Sequence, residues 1–102
     1  MNGQYGFIIG YRLEGKTPVK RTRFNRKFLG YTDKSQYGKF SYSRDGFMEG
    51  IPHRKLLRGV MILRNEDVAN VLNFLEQYPL TLHVREVKLT LDDEKMLRGT
   101  HE

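Results

Sequence analysis

An α+β domain built on one small sheet, with one or two helices, is the fold class this sequence predicts. Three observations predict it. Val68, Val71, Leu72 and Leu75 recur at helical spacing and share one apolar face. Runs rich in strand formers occur at residues 5–13, 56–63 and 80–91. The chain has 102 residues, a size that buries about two-thirds of its unfolded surface and so supports one core. Hydrophobic residues are 38% and charged residues 29%, which places the chain among globular and not disordered sequences. Residues 1–102 are therefore expected to form a single domain, with 1–4 and 100–102 frayed.

In chain order, YGFIIGYRL at 5–13 reads as a strand and EGKTP as the turn after it. Residues 18–29 read as a helix, with Thr17 as N-cap, Pro18 at the first helical position, and Phe24 and Phe28 four apart on one face. Residues 30–37 read as a polar loop. Residues 38–51 read as a hairpin, with Phe40 and Tyr42 alternating against polar residues and Asp45-Gly46 as its turn. Residues 56–63 read as one central strand. Asn65 is the expected N-cap of the helix at 66–78, which Pro79 stops. In 80–91 the apolar positions change parity between Val84 and Val87, so a bulge near Arg85-Glu86, or two strands, is expected. Thr90 is placed to cap a last short helix. The resulting order is compatible with a ferredoxin-like βαββαβ sandwich. With 18–29 as strand, the domain would instead be β-rich with one main helix.

Charge is the feature that points toward function. The net charge is +6. Residues 1–64 hold fourteen Lys/Arg and four acids, a net of +10, and residues 65–102 hold four Lys/Arg and eight acids, a net of −4. Such segregation predicts a face for a polyanion. Arg12, Lys16, Lys20, Arg21, Arg23, Arg26 and Lys27 open the basic run, and Lys34 and Lys39 extend it. On a helix, Lys20, Arg23 and Lys27 lie along one side. Aromatics are interleaved with these cations: Tyr31 and Tyr37 stand in the polar loop, where they could stack unpaired bases. Arg44 and Arg54 complete the candidate nucleic-acid-binding set. Phe40, Phe24 and Phe28 are expected in the core.

Other chemistries find less in the residues. Gly10 to Thr17, GYRLEGKT, fits the phosphate-loop pattern letter for letter. Its bulky Tyr11, Arg12 and Leu13 continue the strand pattern, and VMIL is followed by Arg64 and not by the acid a nucleotidase requires, so a strand and turn are expected. No cysteine is present, and the histidines, His53, His83 and His101, are scattered, so no metal site and no cofactor are expected. His53, beside Arg54 and Lys55, leaves a metal-independent nuclease as a lesser alternative. No apolar run reaches the ~18 residues of a membrane span, and Met1 to Tyr5 lack a signal-peptide pattern. A cytoplasmic protein without membrane partners is the expectation.

Residues 58–89, RGVMILRNEDVANVLNFLEQYPLTLHVREVKL, resemble the second half of an RNA-recognition-motif domain: strand, helix with an acidic first turn, last strand. The resemblance covers about a third of the chain and implies topology. Those domains carry stacking aromatics on the strand before this helix, whereas Gly59 to Leu63 contain none. The sequence therefore predicts a small DNA- or RNA-binding protein acting through residues 12–58. A homodimer or adaptor, with the acidic helix 66–78 as partner surface, is the alternative.

Overall fold

The first strand, β1 (Tyr5–Leu13), forms where Phe7, Ile8 and Ile9 favour extended backbone, and it becomes an inner strand of a four-stranded sheet. The computed structural model describes residues 4–15, 17–35 and 40–98. It shows a small α+β protein with two compact units, one made of Gly15–Gly50 and the other of the chain up to Glu14 and from Ile51 onward. Among the described residues, no helix is long and apolar enough to cross a membrane.

The second of these units holds the sheet. Its strands are β1, β4 (His53–Leu57), β5 (Val60–Leu63) and β6 (Leu80–Lys88), ordered β4-β5-β1-β6 and antiparallel throughout. Ile9 stands opposite both Met61 and Val84, and Ile9, Met61 and Leu63 are fully buried on one face. Ile8 and Ile62 point to the other face. There Leu97 of the last helix (Leu91–Leu97) joins Ile62 and Leu89, with Ile8 and Val87 packed against them. Between β5 and β6 a single 3-10 turn (Asn65–Asp67) leads into a helix (Val68–Leu75) that buries Val71 and Leu75.

This two-sided burial corrects the expectation for residues 80–91. The pairing of β1 with β6 runs unbroken from Tyr5 opposite Lys88 to Leu13 opposite Leu80, so no bulge lies at Arg85-Glu86. Leu80, Leu82 and Val84 face one side of the sheet and Val87 the other, because both sides have apolar cover. The irregularity lies between Lys55 and Leu57 instead. The expected single strand at 56–63 is also two strands. Gly59, at φ 77°, turns the chain after Leu57, and its backbone carbonyl accepts from Tyr11 N–H at 2.8 Å. Leu57 consequently lies 69% exposed on an edge strand and not in the core.

In the 15–50 unit, α1 (Pro18–Leu29) forms as the caps predict: the Thr17 hydroxyl accepts from the Lys20 N–H at 3.3 Å, and Pro18 stands at the start. Phe24 and Phe28 are buried, with ring centroids 5.6 Å apart. The predicted polar loop contains a strand, β2 (Tyr31–Ser35). It pairs with β3 (Phe40–Arg44), Tyr31 opposite Arg44 and Asp33 opposite Tyr42. Asp45-Gly46 is therefore not a hairpin turn. Gly46 packs so closely on Gly30 that a Cβ at either would collide with the other's backbone or its neighbours. That approach lets Phe47 and Met48 N–H groups donate to the Lys27 and Phe28 carbonyls, at 2.7 and 2.9 Å, near the end of α1.

The C-terminal half carries two further outcomes. Asn65 makes no capping bond; Arg64 instead clamps the helix entry, reaching Asp67 at 2.7 Å and Glu66 at 3.3 Å. Thr90 caps the last helix as expected, in a reciprocal capping box with Asp93.

Candidate nucleic-acid interface

The cations of α1 are set out by its two anchors. Phe24 and Phe28 turn one side of the helix inward, and Lys20, Arg21, Arg23, Arg26 and Lys27 are all left exposed around the remainder. The helix has no acid in its first turn and places Arg26 and Lys27 in its last, where the helix dipole favours positive charge. Among the described residues, no acidic side chain forms an ion pair with Lys20, Arg23, Arg26 or Lys27.

Arg23, Arg26 and Lys27 line an open groove of about 700 Å³ within the 15–50 unit. Its lining is largely apolar and includes Pro18, Val19, Thr22 and Tyr31, with Asp45 as the one acidic residue. Val19 is 64% exposed there. The Arg26 guanidinium lies 4.3 Å from the Tyr31 ring centroid, a cation–π stack worth roughly 0.5–1 kcal/mol at an exposed site. Lys20 and Arg21 stand on the same helix but do not line the groove.

The remaining candidates are distributed as follows. Arg44 reaches Asp33 at 3.2 Å and lies 6.0 Å from the half-exposed Tyr42 ring, on the ribbon face that also carries Tyr31. Arg12, in β1, is 3.6 Å from Glu14. Arg54, in β4, is partly buried and donates to Asp93 at 2.8 Å. Arg12 and Arg54 both belong to the sheet unit. The backbone of Lys34 pairs with Ser41 across the ribbon. Lys16, Tyr37 and Lys39 lie outside the described residues.

The sheet unit shows how the other motifs are used. Tyr11, Arg12 and Leu13 pair with Leu82, Thr81 and Leu80, so half of the phosphate-loop pattern is strand, and Thr17 spends its hydroxyl on the helix cap. His53 Nδ1 donates to the Ile51 carbonyl at 2.8 Å. Among the described residues, no three His, Asp or Glu side chains converge to hold a metal ion. Hydrogen bonds from Thr90, its backbone N–H foremost, and from Arg54 hold the Asp93 carboxyl below the usual carboxylate range despite burial.

The sequence sets Val19 near the Phe24–Phe28 face and Asp45 in a hairpin turn, whereas Val19 is 64% exposed and both residues line the groove. An exposed β-branched residue in the first turn of a cationic helix was the available signal for Val19. Asp45 was accounted for by a turn it does not make.

The division into units sharpens the charge argument. Residues 15–50 contain nine Lys/Arg and three acids, a net of +6; the rest of the chain contains nine of each, a net of zero. No known protein family matches the sequence, and no curated protein or solved structure matches it either.

Proposed function

We propose that the protein binds nucleic acid, DNA or RNA, through its 15–50 unit, with α1 and the groove of Arg23, Arg26 and Lys27 as the contact surface. One observation carries this reading: the whole net charge of the chain resides in that unit, and among the described residues no acidic side chain forms an ion pair with the cations of the groove. Net charge of one sign works against a compact state by self-repulsion, and a polyanion relieves it. Arginine suits phosphate because its planar fork donates two parallel bonds. Fluorescence anisotropy of labelled DNA and RNA oligonucleotides across salt tests the reading. The expected log–log slope is about −3 to −6, for four to six phosphates contacted. Absence of binding to every oligonucleotide at low salt would reject it.

A ferredoxin-like sandwich is the finer fold reading. Support comes from the strand order, in which the first strand of the sheet lies between the third and the fourth. Amide contacts in solution that paired β1 with β4 in place of β5 would reject it. A cytoplasmic location goes with both readings.

A second function is favoured by Leu56 and Leu57, 41% and 69% exposed on the edge strand β4. An exposed apolar edge is a pairing surface, and a homodimer would cover it. Sedimentation of wild type against Leu57→Lys decides this: a dimer that the substitution dissociates supports the reading, and a monomeric wild type removes it.

A further inference from the structure

The groove against α1 is more than a cationic surface. Its lining is largely apolar, and it includes the acidic residue Asp45. A duplex keeps its bases stacked and paired, so it offers no free base face to an apolar surface. An unpaired nucleotide offers an aromatic face, an edge with hydrogen-bond donors, and phosphates on either side. Each of these has a counterpart in the groove. Val19, Pro18 and the Arg26–Tyr31 stack provide surfaces on which a base can lie, and bases stack on guanidinium planes as well as on rings. Arg23 and Lys27 provide for the phosphates. Among the described residues no side chain pairs with the Asp45 carboxylate, so it is available to accept from a base amino group, as acids do from cytosine N4.

We propose that this groove takes an unpaired, amino-bearing base of a single strand, with Asp45 as the acceptor that reads the amino group. The inference rests on the nucleic-acid reading above and narrows it. Cytosine and adenine present the amino group; thymine presents its O4 carbonyl there, which a carboxylate repels. Tyr42, half-exposed on the ribbon face and diagonal to Tyr31, is placed to stack a neighbouring base.

The test is competition anisotropy with dC15, dA15, dT15 and a 15-base-pair duplex, on wild type and Asp45→Ala, in one buffer. Expected for wild type is binding of dC15 and dA15 about five- to tenfold tighter than dT15, with the duplex weaker than dC15. In Asp45→Ala the ratio of dC15 to dT15 falls to about one, while dT15 binds more tightly because a repelling charge is gone. Duplex binding at least as tight as dC15 would overturn the single-strand inference and leave the nucleic-acid reading standing. Equal wild-type affinity for dC15 and dT15 would overturn the role of Asp45. If no oligonucleotide binds, the nucleic-acid reading fails and this inference fails with it.

Discussion

The two units carry the same number of cations and differ in what faces them. The sheet unit balances its nine Lys/Arg with nine acids, and several pairs are structural: Arg54 with Asp93 across β4 and the last helix, Arg64 with Asp67 and Glu66 at a helix entry. The 15–50 unit sets nine cations against three acids, and one of those, Asp33, is engaged by Arg44. In the sheet unit cations and acids balance and part of that charge is spent on ion pairs; in the 15–50 unit an excess of cations is displayed. A total of +6 describes neither. Counting cations along a chain overstates a binding face wherever folding brings carboxylates back to them, as it does for Arg12, Arg44 and Arg54.

The largest effect is expected where the displayed charge is anchored. Phe28 is fully buried and stacks on Phe24 and Phe47, at 5.6 and 6.3 Å between centroids. Phe28→Ala should cost about 3–5 kcal/mol in urea denaturation. A loss under about 1 kcal/mol would mean that the charged helix is not held by its apolar anchors. Next in size is Gly46→Ala, whose Cβ would meet the backbone of Gly30, Leu29 and Phe28. Backbone cannot swing aside as a side chain does, so a cost of about 1–3 kcal/mol is expected. An unchanged denaturation midpoint would contradict the close Gly30–Gly46 approach.

The spent charge gives a smaller and pH-dependent effect. Asp93→Ala removes the capping box and the partner of Arg54, for about 1 kcal/mol at neutral pH. The folded carboxyl titrates below its unfolded value. Its contribution is therefore fully present above the unfolded value near pH 4. It is lost as pH falls through the folded value. Wild type and variant should differ at neutral pH and converge in acid, as followed by thermal unfolding. A difference that grew on acidification would have the wrong sign. Oligonucleotide affinity should be the same in both proteins, since Asp93 lies in the balanced unit.

Local signals were legible where they act locally. Thr17-Pro18 with Phe24 and Phe28 fixes α1, and Thr90 fixes the last helix, because cap and spacing lie within a few residues of what they stabilise. Tyr31–Ser35 does not read as a strand, since YTDKS has no apolar alternation; pairing with β3 makes it one. Asp45-Gly46 has the letters of a turn, but Gly46 is used for a close approach to Gly30, sixteen residues away in sequence. The parity change in β6 is legible and its cause is not, since a bulge and a second apolar face leave the same pattern in one strand. At the candidate site the helix cations were read directly. The groove was not, because it needs Val19, Tyr31 and Asp45 to meet from three segments.

On the proposed reading, displayed charge, and not total charge, binds the polyanion. The most direct measurement compares two triple variants that each take the net charge from +6 to +3 by removing three cations. One is Arg23→Ala, Arg26→Ala, Lys27→Ala in the groove; the other is Lys55→Ala, Lys88→Ala, Lys95→Ala, all exposed in the balanced unit. Circular dichroism first establishes that both fold, as expected for surface changes that shift stability by about 0.5 kcal/mol each or less. Anisotropy against one labelled single strand is then followed across salt. The groove variant should lose at least about tenfold in affinity, and its salt slope should shrink by about 2–3. The balanced-unit variant should stay within about twofold of wild type. Equal losses in the two variants, or the larger loss in the balanced-unit variant, would contradict the claim.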